Sequence, residues 1–138
     1  VLRPGHPVIV VDASALTSAL IYTDGRGRKA RLALGRDPEW TAPEHWRVEV
    51  FSAIRGLLRG RRITEERADW ALGQVRRLGV DTVPVDELLP RMWQLRATIS
   101  GYDAGYVALA ERRALTLLTA DGHLARAATP HCRVELIT

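Results

Sequence analysis

The chain has 138 residues, of which 46% are hydrophobic and 26% are charged, a balance typical of one globular domain. Its single cysteine, Cys132, cannot form an internal disulfide, and no apolar run approaches the roughly 20 residues that span a bilayer. We therefore expect a cytoplasmic protein without membrane association. The net charge of +4 is carried almost entirely by arginine, which permits a nucleic-acid substrate but also follows from genomic base composition.

In chain order, strand patterns alternate with helix patterns, which predicts a parallel sheet covered by helices on both faces. The predicted strands cover residues 7–12, 39–42, 81–85, 115–119 and 133–137. The predicted helices cover residues 12–21, 28–34, 43–59, 64–78, 86–99, 103–113 and 121–127. We therefore expect an α/β fold, a three-layer α/β/α sandwich with a central parallel β-sheet. It should form a single domain over residues 1–138, with residues 1–7 as a short leader.

Proline, glycine and threonine mark several of the predicted boundaries. Pro43 is predicted to begin the third helix, because proline favours the first helical turn. Gly60 ends that helix and Gly79 ends the next one, which Thr64 can cap with its hydroxyl. Residues 23–27 are predicted to form a turn.

Two acids directly follow predicted buried strands, Asp12 after the first and Asp121 after the fourth. In open α/β sheets the ligand crevice lies beyond the carboxyl ends of the strands, so both acids are placed where functional sites occur. Aspartate also caps helix N-termini well, and that structural role remains an alternative for each. Asp103 begins a predicted helix with a tightly apolar continuation, and the same two interpretations apply to it.

Glu49 lies along the edge of the apolar stripe of the third predicted helix. A carboxylate that faces inward needs a partner, because burying an unpaired charge is costly. Arg47 or Arg55 could supply a structural ion pair, and a metal ion would serve as well. Four acids together favour the metal, since Mg²⁺ and Mn²⁺ prefer oxygen ligands. Ser14 and Thr119 could support the acids through hydrogen bonds or serve only as local caps.

The motifs around these acids resemble those of the PIN-domain family, most closely VapC-type toxin ribonucleases of VapBC toxin–antitoxin systems. The resemblance covers almost the whole chain and is carried by residues 10–16, 47–55, 102–111 and 117–127. The third motif, Tyr-Asp-Ala-Gly-Tyr-Val-Ala-Leu-Ala-Glu, and the fourth, with its Thr-x-Asp pattern, are the most specific.

The resemblance implies a metal-dependent endoribonuclease with Mg²⁺ or Mn²⁺ as its cofactor. The acidic quartet would be Asp12, Glu49, Asp103 and Asp121, with Thr119 as a supporting hydroxyl and Ser14 beside it. The family also implies an RNA substrate, a homodimer, and inhibition by a cognate VapB-type antitoxin. No acid of the quartet is missing, which argues against an inactive copy.

Two other function classes are compatible with an α/β fold. A PIN-fold module could bind RNA or a protein without cutting, which the intact quartet argues against. A phosphatase or receiver domain would need a second acid near the first strand, but position 14 is Ser, and Lys29 is the only lysine. Among the remaining residues, Trp46 or Trp70 is a candidate antitoxin contact, and the arginines of residues 59–62 and 76–77 are candidate RNA phosphate contacts or solvated helix ends.

Overall fold

The computed structural model describes residues 8–138, so the predicted leader lies outside the described residues. The strands are β1 (Val8–Val11), β2 (Glu39–Pro43), β3 (Val80–Val83), β4 (Leu117–Thr119) and β5 (Val134–Leu136). The helices are α1 (Ala13–Ile21), α2 (Gly25–Gly35), α3 (Trp46–Arg59), α4 (Glu65–Val75), α5 (Val85–Gln94), α6 (Gly101–Arg113) and α7 (Gly122–Ala128). Within residues 8–138, no helix is both long and apolar enough to cross a bilayer.

The five strands form one parallel sheet in the order β3-β2-β1-β4-β5. The expected α/β fold, a three-layer sandwich with a central parallel sheet, is confirmed. The chain leaves β1 toward β2 on one side and later returns to β4 on the other, so the strand order reverses between β1 and β4. Ligand crevices in such sheets form at this reversal, beyond the carboxyl ends of the strands. The sheet therefore directs attention to the residues that follow β1 and β4.

The core is built from β-branched strands and from the inner faces of the helices. Val10 and Val11 of the central strand are fully buried, as is expected of a strand covered on both faces. The largest buried side chains are Trp46 at the start of α3 and Tyr106 in α6. Both lie on helices that also carry predicted site residues, so core packing fixes the position of the site.

The prediction that Pro43 begins a helix is wrong. Pro43 is the last residue of β2 and pairs with Val83, and the next residue, Glu44, still donates its backbone N–H to the Val83 carbonyl. The chain is therefore extended through this point, and α3 begins only at Trp46. Proline is compatible with a strand end as well as with a helix start, and here the pairing with β3 decides between them.

Several other predicted boundaries also move. The predicted turn of residues 23–27 overlaps α2, because the Asp24 side chain caps a helix that begins at Gly25. The predicted helix of residues 86–99 ends at Gln94 and continues as turns, in which Arg96 donates to the Trp93 carbonyl. The helix that carries Asp103, α6, begins at Gly101 rather than at Asp103, so Asp103 lies inside its first turn.

Candidate active site

Asp12 lies at the carboxyl end of β1, where its carboxylate is almost fully buried, with 4% of the residue exposed. One oxygen accepts the backbone N–H of Ala15 at 3.0 Å, which caps α1. The Thr119 hydroxyl donates to the other oxygen at 2.8 Å, and the Ser14 hydroxyl lies 2.8 Å from both oxygens. The capping interpretation is therefore confirmed, and the same carboxylate is held rigidly at the strand end.

The pKa of Asp12 is raised to about 6, mainly by burial and to a smaller extent by the negative charge of Glu49. The hydrogen bonds from Ala15, Thr119 and Ser14 lower it, but they do not offset the loss of solvation. Within residues 8–138, the groups that contact the Asp12 carboxylate are two hydroxyls and one backbone N–H, none of which carries a positive charge. A bound cation would supply that charge.

Ser14 and Thr119 link the residues after β1 to those after β4. Each hydroxyl donates to Asp12 and accepts a backbone N–H from the turn before α7: Ala120 to Ser14 at 2.9 Å and Asp121 to Thr119 at 3.0 Å. The two hydroxyl oxygens are 3.2 Å apart. The local and the supporting interpretations thus both hold, because the bonds that stabilise the turn also orient the Asp12 carboxylate.

Asp121 caps α7, where one of its carboxylate oxygens accepts the backbone N–H groups of His123 at 2.9 Å and Leu124 at 3.4 Å. Asp103 lies in the first turn of α6 and is half-buried. Burial raises the pKa of Asp103, and the negative charges of Asp121 and Glu49 raise it as well, against a hydrogen bond from Ser100. Asp103 therefore lies within electrostatic reach of two other acids of the predicted quartet.

Glu49 is held by two residues that the sequence analysis did not assign to the site. Its Oε1 accepts the Tyr106 hydroxyl at 2.7 Å and lies 3.0 Å from the His45 Nδ1. The suggested ion pair with Arg47 or Arg55 does not form within the described structure; the Arg47 guanidinium instead lies over the Trp46 ring. Only the spacing of His45, four residues before Glu49, could have pointed to this contact.

All four predicted acids therefore lie at the same end of the sheet, and three pairs of them interact electrostatically. Glu49 acts on Asp12 and on Asp103, and Asp121 acts on Asp103. Even so, no group of three or more His, Cys, Asp or Glu side chains from residues 8–138 is arranged as a ready-made metal cage. The donor set is entirely carboxylate oxygen, which suits Mg²⁺ or Mn²⁺, and Mg²⁺ commonly binds through one or two carboxylates while keeping several waters. The site is therefore compatible with a partly hydrated cation.

The family model described as "PIN domain" matches residues 9–130, which is most of the chain and includes all four acids. The chain belongs to the PIN-domain family. This finding confirms the resemblance drawn from the motifs.

Curated relatives of this PIN domain are VapC ribonucleases from Mycobacterium tuberculosis. Ribonuclease VapC9 is 37% identical over 130 residues, covering 94% of this chain and 98% of the relative. Ribonuclease VapC3 is 40% identical over 119 residues, with 86% of each protein covered. Ribonuclease VapC12 is 33% identical over 130 residues, covering 94% of this chain. The similarity extends over nearly the full length of these proteins.

Two solved structures share the fold of this PIN domain. VapC20 from Mycobacterium tuberculosis, described as a Sarcin-Ricin loop cleaving toxin, superposes with a TM-score of 0.66 at 22% identity, covering 86% of this chain and 94% of VapC20. PAE2754 from Pyrobaculum aerophilum gives a TM-score of 0.64 at 23% identity, covering 94% of this chain and 83% of that protein. At these identities the likeness concerns the fold.

Proposed function

We propose that this PIN-domain protein is a metal-dependent endoribonuclease that acts as the toxin of a toxin–antitoxin pair and is inhibited by a cognate VapB-type antitoxin. The observation that carries the proposal is the buried Asp12 carboxylate at the reversal of the sheet, with Glu49 close enough to raise its pKa and further acids beside it. Its relatives are named as ribonucleases, and the similarity to them covers most of their length. On the same basis we expect it to act in the cytoplasm.

Asp12, Glu49, Asp103 and Asp121 would together hold Mg²⁺ or Mn²⁺. When bound, the cation would lower the pKa of a coordinated water and stabilise the charge that develops on the phosphate. The chain's own contribution is orientation. Thr119 and Ser14 fix Asp12 through short hydrogen bonds, and the caps of α1 and α7 fix the backbone on both sides. Hydrolysis would form a bond between the water oxygen and phosphorus and break one P–O bond of the RNA backbone; one proton of the water would pass to the leaving sugar oxygen and the other to solvent.

A cleft of about 410 Å³ lies next to Ser14, whose hydroxyl contacts Asp12, and we propose that RNA binds along it. It is lined by Ser14, Ser18 and Tyr22 of α1, by α3 residues, and by Arg62. Arg62 belongs to the arginine cluster of residues 59–62 that the sequence analysis considered as phosphate contacts. A positive side chain and hydroxyl groups in one cleft suit a single-stranded RNA backbone.

The expected homodimer is part of this proposal. Leu89, Trp93 and Tyr102 on the α5–α6 side expose large apolar side chains, and Leu89 and Trp93 line an apolar cleft of about 460 Å³. Exposed apolar area of this kind is typical of protein interfaces. Sedimentation of the wild type and of Trp93→Asp tests it: we expect a dimer that the substitution dissociates, and a monomeric wild type would contradict the expectation.

The direct test of the proposed activity is RNA cleavage in Mg²⁺ or Mn²⁺, with Asp12→Ala and a chelator as comparisons. We expect products only from the wild type with metal. Equal cleavage under all three conditions would indicate a contaminant and contradict the proposal. RNA binding without products, independent of metal, would favour the alternative of a non-catalytic PIN-fold module.

A further inference from the structure

His45 occupies a position that the proposed reaction does not explain. It precedes α3 and makes no side-chain hydrogen bond to cap that helix. Its imidazole is largely buried, with 13% of the side chain exposed, and its Nδ1 lies 3.0 Å from Oε1 of Glu49, one turn further along. The His45 side chain therefore contacts Glu49 and does not cap the start of α3.

The surroundings of His45 hold its ring in one place. Tyr102 and Tyr106 contact it edge-on, with ring centroids 5.3 and 5.2 Å away. On the α6 side, a Cβ added to Gly105 would lie 2.5 Å from the His45 Nε2, a distance that real Cβ atoms do not adopt. The lack of a side chain at position 105 is thus what lets the imidazole lie against α6.

This arrangement has a cost. The Nε2 of His45 is buried and has no hydrogen-bond partner within the described structure. Leaving a polar atom buried and unpaired destabilises the folded protein, and an apolar residue of similar size would avoid that loss. A histidine in this place is therefore poorly explained by packing alone, and its distinctive contact is the one with Glu49.

His45 and Tyr106 act on the same atom. The Tyr106 hydroxyl donates to the same Oε1 that lies against the His45 Nδ1. Two donors on one oxygen restrict rotation of the carboxylate, and neither bond involves Oε2. Glu49 in turn is the acid whose charge reaches both Asp12 and Asp103.

We propose that His45 is a positioning residue: together with Tyr106 it holds the Glu49 carboxylate in one orientation beside Asp12 and Asp103, and Gly105 provides the space it needs. The inference rests on the proposed function, because it assigns His45 a role in preparing one acid of that site. It predicts that Glu49 is oriented before any cation binds.

Four substitutions test this role. His45→Leu keeps similar bulk without nitrogen, whereas His45→Asn can place an amide N–H near the position of Nδ1. Tyr106→Phe removes the second donor, and Gly105→Ala pushes a Cβ against the imidazole. The matched control is His131→Leu: His131 lies near Glu111, eight residues beyond Asp103 on α6 and so about 12 Å from it along the helix.

We expect His45→Leu to lower kcat for RNA cleavage about tenfold, with KM within about twofold of the wild type. Mn²⁺ affinity measured by calorimetry without RNA should fall in the same variant. His45→Asn should recover most of both losses, Tyr106→Phe and Gly105→Ala should resemble His45→Leu, and His131→Leu should match the wild type.

Imidazole ¹⁵N shifts of the metal-free protein provide a readout that does not depend on activity. The hydrogen bond predicts that the His45 Nδ1 carries a proton and that Glu49→Gln changes the Nδ1 shift. An Nδ1 without a proton, or an Nδ1 shift indifferent to Glu49→Gln, would overturn the inference.

The outcomes separate the two proposals. If the wild type shows metal-dependent cleavage and His45→Leu retains both its kcat and its Mn²⁺ affinity, the positioning role is wrong and the proposed function stands. If the wild type cleaves no RNA in either metal, the proposed function fails, and the inference fails with it. Loss of kcat in His45→Leu without recovery in His45→Asn would also overturn it, because packing rather than the hydrogen bond would then be responsible.

Discussion

At the scale of single residues, Asp12 is a carboxylate that the fold buries at a cost. Its pKa rises from 3.8 to about 6, so between these values the folded protein binds more protons than the unfolded chain. Stability must therefore fall as the pH rises through this window. The shift of about two units corresponds to roughly 3 kcal/mol at neutral pH. A cation bound beside Asp12 would stabilise the ionised carboxylate and offset this loss of stability.

Asp12→Asn cannot ionise, so it should escape this penalty. Between pH 4 and 7, without metal, the unfolding free energy of the variant should rise relative to that of the wild type. Urea denaturation in chelator measures the difference. Asp24→Asn is the control: Arg26 lowers the pKa of the exposed Asp24 below its ordinary value, so this carboxyl is ionised in both the folded and the unfolded chain over most of this range, and the relative unfolding free energy of the variant should stay nearly constant. Curves for Asp12→Asn and wild type that stay parallel across this range would contradict the burial argument.

Thr119→Val removes a fully buried hydroxyl that donates to Asp12 and accepts the Asp121 N–H. Because one donor of Asp12 and the partner of a backbone N–H are lost together, we expect a loss of about 1–3 kcal/mol. Thr129→Val, at an exposed helix end, removes a hydroxyl that bonds only along α7 and should change stability by about 0.5 kcal/mol or less. Thermal unfolding of both variants compares them, and equal losses would show that the Thr119 hydroxyl has no special role.

At the scale of elements, the sequence predicted most strands and helices because their hydrophobic patterns are local. Pro43 was assigned wrongly because strand ends and helix starts both accept proline, and only the pairing with Val83 distinguishes them. The contact between Tyr106 and Glu49 joins residues 57 positions apart, on α6 and α3. Such a contact depends on how two helices pack, and a single sequence does not carry that information.

The two tryptophans considered as antitoxin contacts differ in how far they are buried. Trp46 is fully buried, whereas Trp70 is 48% exposed on α4, with Arg67 over its ring. We expect Trp46→Ala to lower the unfolding free energy by about 3–5 kcal/mol. Trp70→Ala should weaken antitoxin binding while the fold stays intact, which calorimetry and thermal unfolding check together. A large stability loss in Trp70→Ala with unchanged antitoxin affinity would show that Trp70 is core.

At the scale of the whole molecule, a chain with a net charge of +4 gathers four acids at one end of its sheet. Their common location could be predicted, because each follows a strand or lies in the first turn of a helix. Their mutual spacing could not, since it depends on how α3 and α6 pack against the strands. The two arginine clusters lie in different places relative to the acids. Arg62 shares a cleft with Ser14, whereas Arg77 follows α4 near the amino end of β3.

Arg62→Ala should therefore weaken RNA binding. The slope of the logarithm of the binding constant against the logarithm of the salt concentration should fall by about one, as expected for one lost phosphate contact. Arg77→Ala is the matched control and should leave both nearly unchanged. Binding of single-stranded RNA by the wild type and both variants, titrated over several salt concentrations, makes the comparison. Equal effects of the two substitutions would show that the cleft is not the RNA path.

Anomalous diffraction from crystals of this protein soaked in Mn²⁺ would show whether the four acids form one cation site. We expect an Mn²⁺ peak between Asp12, Asp103 and Asp121, with Glu49 as a direct or water-mediated ligand, and we expect the peak to be lost in Asp12→Asn. Acids that point to separate surfaces, with no Mn²⁺ between them at saturating concentration, would contradict it.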